Sequence, residues 1–308
     1  MTATVSDITD IGVRRKLQFA SGDSYCAAWH YPGTNGACVV MAGGFAVTKE
    51  PGTDRFARRF HAAGFSVLAF DYRRIGESGG QPRQVLPIRD QIDDWQAAID
   101  VAAELPEVDA SKVAIWGFSA SGGHVFRVAA GNSKVAAAIA QTPNADNVAA
   151  SRNASRYQKP LALLRFTGRG ILDGLGGLVG RPPRLVPLVG EPGTVVMLTT
   201  PDARDTDRAL DPEGEYATWR REVAARSALR LAFYRPGRYA SRISCPLLVV
   251  VCDRDQSALA APALRAGVRA PRAEFTLLPG GHYAPFLDQH EEGVEAELAF
   301  LRRHLACG

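Results

Sequence analysis

No apolar run in this chain approaches the length of a bilayer span, and Met1 to Gln18 is polar and mixed in charge, with no apolar centre of a secretory signal. Both absences point to a soluble, cytoplasmic protein with no membrane partner. Cysteine is sparse: five residues, at 26, 38, 245, 252 and 307, an odd number with no close pair at metal-ligand spacing. A disulfide scaffold and a metal site are therefore not expected, and Cys245 and Cys252, which flank an apolar run, read as small core residues. The formal charge is a slight +4, carried mostly by scattered arginines. A nucleic-acid binder would need a basic stripe with interleaved aromatics, and none is present. There is no internal repeat and no long charge run.

What the sequence does have is an alternation of apolar runs and amphipathic stretches. With 308 residues, 46% of them hydrophobic, it can fill the core of one large α/β domain with an insertion. Two opening strands are expected around Val13–Phe19 and Tyr25–Tyr31. The runs "ACVVMAGGF" (37–45), "FSVLAFDY" (65–72), "SKVAIWGFS" (111–119) and "KVAAAIAQTP" (134–143) suit strands buried on both faces. Helices are expected between them at 54–65 and 91–105, and again after Ser119. From 144 to 242 the pattern breaks into a Gly- and Pro-rich irregular stretch, with helical spacing returning at 215–234. It then resumes: strand at 245–253, helix at 258–270, strand at 273–279, helix at 292–305. The reading is a mostly parallel, doubly wound sheet, with residues 1–143 and 243–308 as its core and 144–242 as a lid inserted over the carboxyl ends of the strands.

The stretch "VAIWGFSASGGHVF" (113–126) carries the chemistry. A strand runs into Gly117-Phe118-Ser119-Ala120-Ser121 and a helix follows, which is the context a nucleophile elbow demands. The sharp turn needs small neighbours two residues before and after the serine. Gly117 meets this; Ser121 departs from the usual glycine by one hydroxymethyl. A serine nucleophile needs a base and the base an orienting acid, here in the chain order serine, acid, histidine. His282 follows the last expected strand on a Gly280-Gly281 bend. Of the other histidines, His124 is turned away by helical geometry, and His290 and His304 read as surface residues. The acid comes from "CDRD": Asp255 is favoured, with Asp253 as a turn residue and Asp146 a weaker third. Oxyanion donors are expected at the backbone N–H groups of Ala120 and Phe45, where Gly43-Gly44 permits close approach. Asp71, in "AFDYRRIGESGG", reads as part of an ionic tie between loops rather than as an acid.

Together these motifs resemble the α/β-hydrolase superfamily: "MAGGF", "FDYRRIGESGG", "GFSASGG", "CDRD" and "PGGH" fall in its order along most of the chain. More narrowly the chain looks like bacterial lidded serine hydrolases related to dipeptidyl-peptidase and acyl-peptidase-like enzymes, a group that includes polyketide-processing transferases and thioesterases. The family's oxyanion loop usually carries His-Gly where this chain has Gly43-Gly44, so the backbone donors remain without the imidazole. The resemblance implies Ser119, Asp255 and His282 as the triad. It does not fix the substrate; the serine mechanism itself is expected to act on a small-molecule ester or thioester and needs no metal or organic cofactor. Leucines 161, 163, 164, 172, 175 and 178, with Phe166, Ile171 and Trp219, could pack the lid or line its inner face. Leu164, Phe166, Leu172 and Trp219 are taken as substrate-binding, which implies a hydrophobic acyl group. Acyl transfer or cyclisation, and binding without catalysis, are the alternatives. A homodimer is left open.

Overall fold

The continuous apolar runs become the middle of one sheet. The computed structural model describes residues 6–11 and 13–305. In chain order, β1 (Ser6–Ile11), β2 (Arg14–Ser21) and β3 (Ser24–Tyr31) lead into β4 (Cys38–Ala42), α1 (Thr53–Ala62), β5 (Ser66–Phe70), α2 (Ile88–Ala103), β6 (Val113–Phe118), α3 (Ala120–Gly131) and β7 (Val135–Gln141). Residues 144–242 add α4 (Asn147–Ala154), α5 (Pro160–Leu178), β8 (Leu185–Pro187), α6 (Thr206–Leu210), β9 (Glu222–Ala224) and α7 (Ala225–Leu231). The chain then returns to the sheet with β10 (Leu247–Cys252), α8 (Ala260–Gly267), β11 (Ala273–Leu278) and α9 (His290–Leu305).

The nine-stranded order is β1-β2-β3-β5-β4-β6-β7-β10-β11. Pairing is antiparallel from β1 to β5 and parallel from there on. Every residue of β4, β5, β6 and β10 is buried, because helices cover both faces, and this is why these strands read as unbroken apolar runs. In-register pairs such as Val40 with Ile115 and Trp116 with Ile139 hold β6 at the centre. The chain order reverses beside it, at β5-β4-β6. That is the switch point where open α/β sheets leave a crevice beyond their carboxyl ends. Cys26, Cys38, Cys245 and Cys252 are buried free thiols; Cys307 lies outside the described residues. Among the described residues no helix is long and apolar enough to cross a membrane.

The structure corrects three expectations. The Gly-rich stretch read as irregular is α5, a helix of 19 residues with glycine at 168, 170, 174, 176 and 177. Glycine costs about 0.5–1 kcal/mol in a helix interior, and two of these lie where α7 comes close. A Cβ at Gly170 would come within 3.0 Å of Leu229, and one at Gly177 would occupy the present place of the Arg226 guanidinium, at 1.6 Å, so the missing side chains let α7 lie close against α5. The buried Asp173 carboxylate ties the pair by accepting from the Arg184 and Arg226 amides at 2.7 and 2.9 Å. Conversely, the helix expected at 215–234 is shorter. Arg221 adopts φ 53°, Glu222–Ala224 pairs with Leu185–Pro187 as β9 with β8, and only Ala225–Leu231 is helical. Finally, His290 is buried rather than on the surface, stacked edge-on against Phe56 with its Nδ1 3.1 Å from the Pro285 carbonyl.

Candidate active site

β6 delivers Ser119 at the end of its buried run, and the next residue opens α3. The turn is too sharp for ordinary backbone: Ser119 has φ 57° and ψ −113°, a conformation that costs a non-glycine residue about 1–3 kcal/mol. Three backbone hydrogen bonds hold it there. Ser119 N donates to Gln141 O at 3.0 Å, while Gly123 N and Asn144 N both donate to Ser119 O at 2.9 Å. The small-residue requirement is literal at Gly117, where a Cβ would sit 2.4 Å from the Ser121 carbonyl oxygen. Ser121 is accommodated because its Oγ lies 2.5 Å from Tyr72 Oη, which in turn accepts from Trp95 Nε1 at 2.9 Å. The departure from glycine is thus a satisfied buried hydroxyl.

The other expected residues converge on this serine. His282 Nε2 lies 3.0 Å from Ser119 Oγ, and His282 Nδ1 lies 2.8 Å from Asp255 Oδ2. A carboxylate only accepts, so Nδ1 carries the hydrogen and Nε2 is left to accept from the serine. His282 and Asp255 are both buried and Ser119 is partly open. The second Asp255 oxygen accepts from the Ser257 and Ala258 amides at 2.9 and 2.7 Å, which fixes its orientation. Burial works against charge on His282, but the Asp255 carboxylate outweighs it and holds the imidazole pKa above the ordinary histidine value.

The discarded candidates have other partners. Asp253 accepts from the Gly280 amide at 2.8 Å and steadies the turn below His282. Asp146 caps α4 through the Val148 and Ala149 amides and pairs with Arg235. Asp71 is fully buried against Lys49, accepting from its amide at 2.6 Å and its ammonium at 3.1 Å; Arg73 pairs instead with Asp94. His124 faces Gln91 and Tyr234, and burial pushes its pKa down to about 3.

Gly44, Phe45, Ser119, Ala120 and His282 line a cavity of about 60 Å³, together with Leu188, Trp219 and Tyr283. It shares Asn144, Met197, Leu198, Leu231 and Ser257 with a mainly apolar cavity of about 210 Å³, walled by α4, α5 and α7 and including Leu163, Phe166 and Val196. Of the four residues expected to face the substrate, Trp219 lines the inner space and Phe166 the outer. Leu164 and Leu172 line neither: they are 69% and 54% exposed on the far side of α5. Helical periodicity explains the correction. Ala162, Gly170 and Asp173 define the inward stripe, and Leu164 and Leu172 project from the opposite side. The sequence reading missed Asp202, whose carboxylate reaches the loops of both Asp255 and His282. It lies in a stretch with no regular pattern, so nothing local singles it out.

A serine on a strand-to-helix elbow, at the switch point of such a sheet and hydrogen-bonded to a buried His–Asp pair, is hydrolase architecture. The alpha/beta hydrolase family profile matches residues 38–297. The quorum-quenching protein AidA of Acinetobacter baumannii (strain MDR-ZJ06) is 38% identical over 291 residues, 93% of this chain and 94% of that one. The chain belongs to the alpha/beta hydrolase family. The polyketide transferase af380 of Aspergillus fumigatus is 26% identical across 95% of this chain and 99% of its own. Among solved structures, the alpha/beta hydrolase GrgF from Penicillium sp. sh18 shares the fold with a TM-score of 0.80 over 96% of this chain and 99% of that one, at 24% identity. Family and relatives support a hydrolase.

Proposed function

We propose that this protein is a serine hydrolase that cleaves a carboxylic ester or thioester with a hydrophobic acyl group. The observation that carries the reading is the unbroken chain from Ser119 Oγ through His282 to Asp255, at 3.0 and 2.8 Å. His282 takes the serine proton as Oγ attacks the carbonyl carbon, and Asp255 holds the tautomer and stabilises the imidazolium. The Ala120 and Phe45 amides, at the start of α3 and in the loop after β4, bind the oxyanion. His282 then protonates the leaving oxygen or sulfur. In the second half of the cycle His282 takes a proton from water, the resulting hydroxide attacks the acyl-enzyme, and the acid leaves as Ser119 regains its proton. Residues 144–242 act as the lid. The adjoining apolar cavity, with Phe166 in its wall, receives the acyl chain, while Trp219 closes the inner space.

Transfer of the acyl group to an alcohol, an amine or its own chain is the second reading. Its support is the narrow inner cavity, which limits water at the acyl-enzyme, and the name of the full-length relative af380. The first test is intact mass after fluorophosphonate treatment of the wild type and Ser119→Ala. One adduct on the wild type alone is expected; none on a folded wild type would overturn the serine mechanism. Product analysis with and without an added nucleophile then separates hydrolysis from transfer.

A further inference from the structure

Asp202 belongs to the segment proposed as a lid, yet its side chain is built into the catalytic loops. It is 8% exposed and follows Pro201 in a short helical turn, Pro201–Asp205. Its Oδ2 accepts from the Gln256 amide at 2.7 Å, the Ser257 amide at 3.2 Å and the His282 amide at 3.3 Å. Its Oδ1 accepts from Ser257 Oγ at 2.7 Å, and that hydroxyl also lies 2.7 Å from Thr200 Oγ1. One carboxylate therefore bridges the loop that carries Asp255 and the loop that carries His282. The Ser257 amide is shared between Asp202 and Asp255. The approach is close enough that a Cβ at Gly281 would sit 3.1 Å from Asp202 Cβ, which gives the glycine beside His282 a steric reason.

Resting on the triad reading above, we propose that Asp202 is a positioning residue of the active site. It holds the acid and histidine loops in register and supplies a second negative charge that stabilises the imidazolium formed when His282 takes the Ser119 proton. The groups facing His282 are Ser119 from the elbow, the Phe118 ring at 4.9 Å, Tyr283 on its own loop, and two carboxylates, Asp255 and Asp202. Burial opposes charge on the imidazole, Asp255 overcomes it, and Asp202 adds in the same direction. Burial also opposes the charge on Asp202, but the facing imidazole and the donors from Ser257, Gln256 and Thr200 outweigh it and hold the carboxyl below its usual range. The covering segment thereby becomes a condition of catalysis as well as a wall of the pocket.

The experiment is the second-order rate of fluorophosphonate labelling as a function of pH, on the full chain, for wild type, Asp202→Asn and Asp202→Glu. Wild-type labelling that Ser119→Ala abolishes secures the underlying reading independently; its absence would overturn that reading and this inference with it. Removing the charge lowers the His282 pKa, so the acid limb for Asp202→Asn is expected to move to lower pH. The plateau rate falls by on the order of tenfold to a hundredfold as the loops loosen. Asp202→Glu keeps the charge and is expected to keep the acid limb in place. Asp202→Ser, smaller and equally neutral, replaces the amide variant if that variant does not fold. A rate lowered by the same factor at every pH, with the acid limb unmoved, would make Asp202 a structural staple only and overturn the electrostatic role.

Discussion

Trp219 donates its indole N–H to the carbonyl oxygen of Ala46 at 3.0 Å. The bond joins residues 144–242 to the loop after β4, one residue beyond Phe45, and it is buried at both ends. Trp219→Phe keeps an aromatic face under the Arg221 guanidinium and leaves the carbonyl without its donor. A loss of about 1–3 kcal/mol is expected for the unsatisfied acceptor, read as a lower denaturation midpoint. A drop in kcat should accompany it if the Phe45 amide is an oxyanion donor, because the loop that presents that amide loses an anchor.

The elbow stores strain that can be measured without activity. Ser119→Ala and Ser119→Gly both remove the hydroxyl, but only glycine is at ease at φ 57°. Ser119→Gly is expected to be more stable than Ser119→Ala by about 1 kcal/mol, the lower end of the cost of such a backbone. Equal melting temperatures would mean that the turn is not strained in solution.

At the preceding glycine the opposite holds. Gly117→Ala places a methyl against the Ser121 carbonyl, which cannot yield without moving the start of α3. Overpacking of this kind costs about 1–3 kcal/mol, and labelling of Ser119 should fall with it as the hydroxyl moves off His282.

The pH dependence has a definite sign. In the proposed mechanism His282 acts as a base only when neutral, and Asp255 raises its pKa above the usual value. Activity is therefore expected to fall with decreasing pH through a limb shifted upward from the ordinary histidine value. Asp255→Asn removes the raising charge. Because the Ser257 and Ala258 amides keep its oxygen, its NH2 faces Nδ1 and favours the wrong imidazole tautomer. The limb should move down and kcat should fall by on the order of 10⁴-fold, the size found for the equivalent change in a serine protease triad.

Acyl-chain preference should separate the two faces of α5. Phe166→Ala enlarges the outer cavity and is expected to shift the preferred chain towards longer or bulkier acyl groups. Leu164→Ala, on the exposed face, should leave that profile unchanged and alter stability by no more than about 0.5 kcal/mol. A changed profile in Leu164→Ala would place the acyl chain elsewhere.

Ser119 and Asp255 could be found in the sequence because each sits just past a strand buried on both faces, which is legible as an unbroken apolar run. His282 follows the edge strand β11, where only Leu278 is buried, and was marked instead by the Gly280-Gly281 bend. The glycines of the elbow and of the His282 loop marked the turns, since only small residues permit the close backbone contacts seen there. Chain order did the rest. Such features are local: a few neighbouring residues contain the whole physical reason. In α5 and Trp219 the reason is not local. Five glycines argue against a helix until α7 lies against it, and a tryptophan at helical spacing leaves that spacing because its N–H finds Ala46 far along the chain. Asp202 is the extreme case, reaching across 80 positions to the His282 amide. Local pattern thus determined where the strands end and which residues wait there. Which distant segment closes over them, and with which side chains, was decided only by tertiary packing, because buried polar groups take whatever partners the fold brings within hydrogen-bond reach.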